Sequence, residues 1–230
     1  MIPNGVRLRW TEGKPVINGW LSTSSAFVAE IMSAQGYDSL TIDLQHGLVG
    51  YEAATAMLQA MRASGVTPMV RVPWLDPGDI MKALDAGAYG IICPMINSRA
   101  EAERLISYMH YPPQGQRSFG PTRAIFAAGA DYGQKADDEI LAFAMIETAE
   151  AMKNLDEIVT TPGLDGVYIG PADLTLGRTG RKYPTGFDRE EPEMIEAIRH
   201  VLERSHAAGI RAGIHTGSAA YAARALGHKA

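Results

Sequence analysis

Short apolar runs alternate with longer amphipathic stretches along almost the whole chain, and this alternation predicts strands followed by helices. Residues 16–20 read as a first strand, with Ser24 or Ser25 as the N-cap of a helix over 26–34. Residues 40–43 read as a second strand followed by a helix over 51–64, and 67–72 as a third strand. Asp76-Pro77 supplies a capping residue and a first-turn proline, opening a helix that ends near Gly87. Strands at 90–94, 141–146, 166–169 and 211–215 follow, with helices expected at 98–109, 148–159, 190–208 and 218–226. Between 111 and 135 a stretch rich in Pro, Gly, Arg and aromatics shows no clear period, and it is expected to be a functional loop. Residues 170–173, Gly-Pro-Ala-Asp, read as a tight turn.

Seven strand–helix pairs in succession predict an α/β protein with a parallel sheet and helical crossovers. An open doubly wound sheet or a closed barrel would both accommodate them. The count favours a (β/α)8 TIM barrel, which typically takes about 250 residues. No break in composition marks a second domain, so residues 1–230 are expected to form a single one. By that count the last strand and C-terminal helix are missing. The chain stops at Gly227-His228-Lys229-Ala230, where an eighth strand is expected to begin, and it reads as truncated at its C-terminus.

Composition narrows the function classes. A formal net charge of −5 with no long basic run argues against nucleic-acid binding, which needs clustered Lys and Arg on the phosphates. No signal-like segment and no apolar run of membrane-spanning length is present in the sequence. Cys93 is the single cysteine, which rules out an intramolecular disulfide and points to a reducing, cytoplasmic setting. Its apolar surroundings mark it as a small buried hydrophobe rather than a nucleophile.

In barrels of this kind the chemistry lies at the C-terminal ends of the strands. Those ends carry Asp43 with Gln45 and His46 beyond it, then Arg71, Glu147, Asp173 and His215. Glu147 and Asp173 each follow an apolar strand, a costly place for a carboxylate without a cation or a set of donors. As hard oxygen ligands without a neighbouring His or Cys they favour Mg²⁺ or Mn²⁺ over zinc. The plainer alternative is that loop amides satisfy both and no metal binds. Arg71 suits stabilisation of a developing oxyanion, although it could instead pair with Asp43 or Glu147. His46 is the natural general acid or base, with Asp43 or Asp85 as its orienter. The amides of the 170–173 turn suit an anion. None of Lys14, Lys82, Lys135, Lys153, Lys182 or Lys229 ends a strand, which argues against imine chemistry.

Several stretches together resemble a known family. They are Ile42-Asp43-Leu44-Gln45-His46-Gly47, Val70-Arg71-Val72-Pro73, Tyr111-Pro112-Pro113-Gln114-Gly115-Gln116-Arg117, Ile146-Glu147-Thr148 and residues 165–174. From about Gly19 onward the chain resembles the HpcH/HpaI family of class II, metal-dependent pyruvate aldolases, of the phosphoenolpyruvate/pyruvate barrel superfamily. The resemblance implies reversible cleavage of a 4-hydroxy-2-oxo acid to pyruvate and an aldehyde through a metal-stabilised enolate. It implies Glu147 and Asp173 as ligands of Mg²⁺ or Mn²⁺, with Co²⁺ as a third candidate. Arg71 would stabilise the enolate, His46 helped by Asp85 would be the acid/base partner, and the amides around Ala172 and Asp173 would hold the pyruvate carboxylate. A homo-oligomer, trimeric or hexameric, is also implied. Two positions depart from the family: Met145 stands where some members have glutamine, and Gln45 where some have glutamate. An acyl-CoA lyase of the citrate or malyl type, and a non-catalytic 2-oxo-acid-binding barrel, are the competing expectations.

Overall fold

The computed structural model of the chain describes residues 1–227. Helix α1 (Gly5–Thr11) precedes β1 (Asn18–Leu21) and α2 (Ala26–Ser33). Next come β2 (Ser39–Asp43), α3 (Tyr51–Met61), β3 (Thr67–Arg71), α4 (Pro77–Asp85), β4 (Gly90–Cys93) and α5 (Arg99–Met109). Helices α6 (Ala124–Ala128) and α7 (Tyr132–Glu139) lead into β5 (Leu141–Ile146), α8 (Ala149–Lys153) and α9 (Leu155–Val159). The chain continues through β6 (Gly166–Ile169), α10 (Pro171–Thr179), α11 (Pro192–Ala207), β7 (Arg211–Ile214) and α12 (Ala219–Ala225). This is the parallel α/β class expected from the alternation. The expected start of an eighth strand, at 228–230, lies outside the described residues.

Two compact units make up the chain, one of Met1–Cys93 with Leu105–Ala142, the other of Pro94–Arg104 with residues from Phe143 onward. In the first unit β1, β2, β3 and β4 pair in parallel, each with the next. Every residue of β2 and β4 is buried, as expected for parallel strands covered on both faces. The core gathers Leu40, Ile42, Met57, Met61, Ile80, Leu84 and Ile91. Asp76 opens α4 as expected, its Oδ1 accepting from Gly78 N at 2.8 Å and Asp79 N at 3.0 Å. Asn4 caps α1 and its Nδ2 donates to Tyr89 O at 3.1 Å and Glu139 O at 2.7 Å, which fastens that helix to the unit.

In the second unit β5 pairs in parallel with β6, and β6 with β7. All six residues of β5 are buried. Helix α11 contributes Met194, Ala197, Ile198 and Val201 to this unit's core. Ile146 of β5, Ile169 of β6 and Ile214 of β7 stand in register, so the residues just beyond them emerge side by side.

Four expectations need correction. The 111–135 stretch is not an unstructured loop; it contains α6 and enters α7. Ala124, Ala128, Tyr132 and Ala136 form one buried row at four-residue spacing, too brief within each helix to read as a period. The helix expected over 148–159 is two short ones, broken at Asn154. Residues 170–173 are not a tight turn but the start of α10, where Pro171 occupies the first turn because its missing N–H costs nothing there. Helix α1 has no counterpart among the expected elements.

Candidate active site

The first unit places Asp43 and Arg71 opposite each other in register at the ends of β2 and β3. Their side chains meet as a two-point ion pair, Arg71 Nε donating to Asp43 Oδ1 at 2.9 Å and Nη2 to Oδ2 at 2.7 Å. Asp43 is only 2% exposed and also accepts from the Gln45 N–H at 3.0 Å, the His46 N–H at 3.2 Å and Trp20 Nε1 at 3.3 Å. Burial pushes the Asp43 carboxyl up. The Arg71 guanidinium, the His46 amide and the Trp20 indole outweigh that and hold it below the usual carboxylate range. Five donors saturate this carboxylate. It therefore organises the turn that carries Gln45 and His46.

Arg71 keeps its Nη1 outside that pair, and its Cζ lies 4.9 Å from the centre of the Trp20 ring. Trp20 thus holds both members of the ion pair, by indole N–H and by ring face. Sequence reasoning misses it; the one signal is an aromatic near the end of the first strand. The His46 side chain is exposed. Gln45 Oε1 is buried with no hydrogen-bond partner, an unmet acceptor beside it.

Asp85, the expected helper of His46, ends α4 and pairs with Arg117, whose Nη2 donates to Asp85 Oδ1 at 2.6 Å. Among the described residues no hydrogen bond joins Asp85 to His46. Arg117 is itself buried, sharing Nη1 and Nη2 with the Tyr132 hydroxyl at 3.2 Å and stacking 4.5 Å from the Tyr111 ring. Burial raises the Asp85 carboxyl above its ordinary value, and the guanidinium offsets this only in part. Arg117 belongs to the Tyr-Pro-Pro motif, which here supplies a buried counter-charge.

The second unit holds Glu147 and Asp173. Glu147 follows β5, is 2% exposed, and its Oε1 accepts from the Met95 N–H at 2.8 Å. Met95 adopts φ 57°, uncommon for a residue with a side chain, and this turns its N–H onto the carboxylate. Asn97 steadies that turn: its Nδ2 donates to Met95 O at 2.9 Å, and Asn154 Nδ2 donates to Asn97 O at 2.8 Å. The Thr148 hydroxyl hydrogen-bonds Asn97 Oδ1 while capping α8. Nothing in the sequence singles out Met95 or Asn97, because methionine is not among the residue types that favour a positive φ.

Glycine at 170 leaves room for the Glu147 carboxylate. A Cβ there would lie 2.4 Å from Glu147 Oε2 and 3.2 Å from the Met145 Cε. Met145 therefore stands beside the Glu147 carboxylate, and is buried. Asp173 is exposed in the first turn of α10, where the helix dipole favours negative charge. His215, just past β7, donates its N–H to Ile169 O at 3.2 Å and packs its ring 4.3 Å from Phe187. No cluster of three or more His, Cys, Asp or Glu suited to a metal exists among the described residues. A pair of hard oxygen donors such as Glu147 and Asp173 suits an ion that keeps waters or substrate oxygens in its remaining positions.

A parallel α/β protein whose strand ends carry a buried carboxylate on a strained amide and a locked arginine has the makings of a lyase-type enzyme. The model of the HpcH/HpaI aldolase/citrate lyase family matches residues 17–220, and the chain belongs to that family. A hydroxypyruvate/pyruvate aldolase of Rhizorhabdus wittichii is 47% identical over 95% of this chain and 86% of its own length. A 4-hydroxy-2-oxo-heptane-1,7-dioate aldolase of Shigella flexneri is 35% identical over 92% of this chain and 78% of its own. Among solved structures, a family member from Burkholderia cenocepacia superposes with a TM-score of 0.87 at 30% identity, covering 98% of this chain and 90% of the other.

Proposed function

We propose that the chain is a divalent-metal-dependent aldolase that reversibly cleaves 4-hydroxy-2-oxo acids to pyruvate and an aldehyde, on a single-domain (β/α)8 scaffold. The observation that carries this reading is Glu147, a carboxylate buried to 2% exposure just beyond β5 and held by a main-chain N–H rather than chosen for packing. Glu147 and Asp173 would hold Mg²⁺ or Mn²⁺, with Co²⁺ as a third candidate. When bound, the ion supplies Lewis-acid polarisation of the 2-oxo group.

The chain's own residues would do the rest. The α10 amides around Ala172 and Asp173 would receive the substrate carboxylate at a helix N-terminus. His46 would take the proton of the 4-hydroxyl as the C3–C4 bond breaks and its electron pair moves towards the carbonyl. Arg71, fixed by Asp43 and Trp20, would offer Nη1 to the oxygen on which negative charge grows. Asp85 would assist His46, on the family resemblance. One relative is named for hydroxypyruvate as well as pyruvate, so both donors belong in the test.

Pyruvate release from a panel of 4-hydroxy-2-oxo acids, after chelation and with Mg²⁺, Mn²⁺ or Co²⁺ restored, tests the reading. Release that requires the ion is expected, and release that survives chelation overturns it. The family description also covers citrate lyases, which favours an acyl-CoA lyase as the second reading; cleavage of acyl-CoA esters alone would select it. The unmet Gln45 acceptor and Met145 beside Glu147 keep a non-catalytic 2-oxo-acid binder in view, recognised by pyruvate binding without turnover. A trimer or hexamer in a reducing cytoplasm is part of the same proposal, and sedimentation would report the assembly. No helix among the described residues is long and apolar enough to cross a membrane.

A further inference from the structure

The first unit holds a second concavity, at the N-terminal ends of its strands rather than beside Asp43 and Arg71. Thr67 and Pro68, which begin β3, and Tyr89, just before β4, lie along it. Its volume is about 350 Å³, within the range of small-molecule sites. Leu8, Leu58, Met61 and Val66 give it apolar walls, Arg62 and Arg123 give it charge, and no Asp or Glu lines it.

Arg62 is exposed and Arg123 half-buried, and neither has the carboxylate partner found at three arginines more withdrawn from solvent than Arg62. Arg71, Arg117 and Arg189 each meet a carboxylate, at 2.7, 2.6 and 2.6 Å. Among the described residues, no ion pair includes Arg62 or Arg123. Both donate to main-chain oxygens instead: Arg62 Nη2 to Phe126 O at 2.8 Å, and Arg123 to Leu58 O at 3.0 Å and to Ala86 O. Gly87, at φ 104°, admits the second guanidinium, since a Cβ there would lie 2.5 Å from Arg123 Nη1. Burial and the nearby Arg62 charge both lower the affinity of Arg123 for its proton.

Capping helix C-termini accounts for some of this arrangement, but a helix end offers only about half a charge, so the two guanidinium charges remain largely uncompensated by protein. Two like charges beside an apolar wall, with no acid among the lining residues, are the electrostatic complement of an amphipathic anion.

We propose that this cavity binds a small carboxylate with a compact apolar body, its head group taken by Arg62 and Arg123 and its body by Leu58, Met61 and Val66. The site is separate from the strand-end carboxylates and does not depend on the lyase reading. Calorimetric titration of the full chain with 3-phenylpropionate tests it, beside the neutral 3-phenylpropionamide. Saturable binding of the acid is expected, weakened at least about tenfold in the amide and in Arg62→Gln, the loss of a charge-assisted hydrogen bond. Ala127→Leu, which fills the cavity without touching its charge, should weaken it similarly while thermal unfolding shows both variants folded. Arg71→Gln, shown folded by the same unfolding measurement, should leave it within about twofold. Absence of saturable binding, equal binding of acid and amide, equal binding to Ala127→Leu, or binding lost in Arg71→Gln would each overturn the proposal.

Discussion

Asp43 and Glu147 are both 2% exposed carboxylates at strand ends, and the two units accommodate them in different ways. The first unit gives Asp43 a guanidinium, two amides and an indole, and the positive charge of Arg71 cancels its own. The second unit gives Glu147, among its contacts, the N–H of Met95, whose backbone lies in the left-handed region. The comparison separates two settings: one carboxylate positions an arginine and a turn, while the other is the proposed ligand of a cation.

The sharpest way to break this distinction is to remove the charge of Glu147 and keep its shape. Glu147→Gln should lower kcat/KM for pyruvate formation by about a thousandfold or more, with an unfolding curve close to that of the parent. Arg71→Ala comes next and should behave differently. It should cost a hundredfold or so in kcat and also about 3–5 kcal/mol of stability, because it strands Asp43 without its counter-charge. Adding Asp43→Asn to Arg71→Ala should restore much of the stability and none of the activity, as urea unfolding and steady-state kinetics on the same preparations would show.

Much of this arrangement is legible in the amino-acid sequence, for a physical reason. Apolar runs that end in charge mark strand ends, so Asp43, Arg71 and Glu147 stand out, and β5 falls on the residues its apolar run predicts. The register pairing of Asp43 with Arg71 is one of two alternatives that sequence leaves open. What cannot be read depends on backbone angle or on distance along the chain. The amide of Met95 faces Glu147 through its φ of 57°. Arg117 meets Asp85 across 32 residues, and nothing local to either announces the pair. Gly170-Pro171 reads equally well as a turn and as a helix N-terminus; only the continuation to Thr179 decides. The roles of His46, Asp85, Ala172 and Asp173 rest on the family resemblance and on the experiments given for them.

Two smaller effects sharpen the contrast. Gly170→Ala adds a methyl group 2.4 Å from Glu147 Oε2, which must then move; metal affinity should fall about tenfold, with stability changed far less than in Arg71→Ala. Acid titration should show the smallest effect. The folded-state pKa of Asp43 lies below its unfolded value, so its contribution to stability is complete above about pH 4 and is lost as pH falls towards the folded value. Asp85 has the opposite sign: its pKa is raised, so its ionised form is penalised at neutral pH and that penalty is relieved on acidification. Urea unfolding across the acid range should therefore be shallower for Asp43→Asn than for the parent chain and steeper for Asp85→Asn.

Direct binding of Mn²⁺, followed by the loss of its free electron paramagnetic resonance signal, tests the division of labour between the two carboxylates. The account predicts that the parent chain and Arg71→Lys bind the ion comparably, while Glu147→Gln binds it at least about a hundredfold more weakly. Equal binding by Glu147→Gln, or binding abolished by Arg71→Lys in a folded protein, would contradict it.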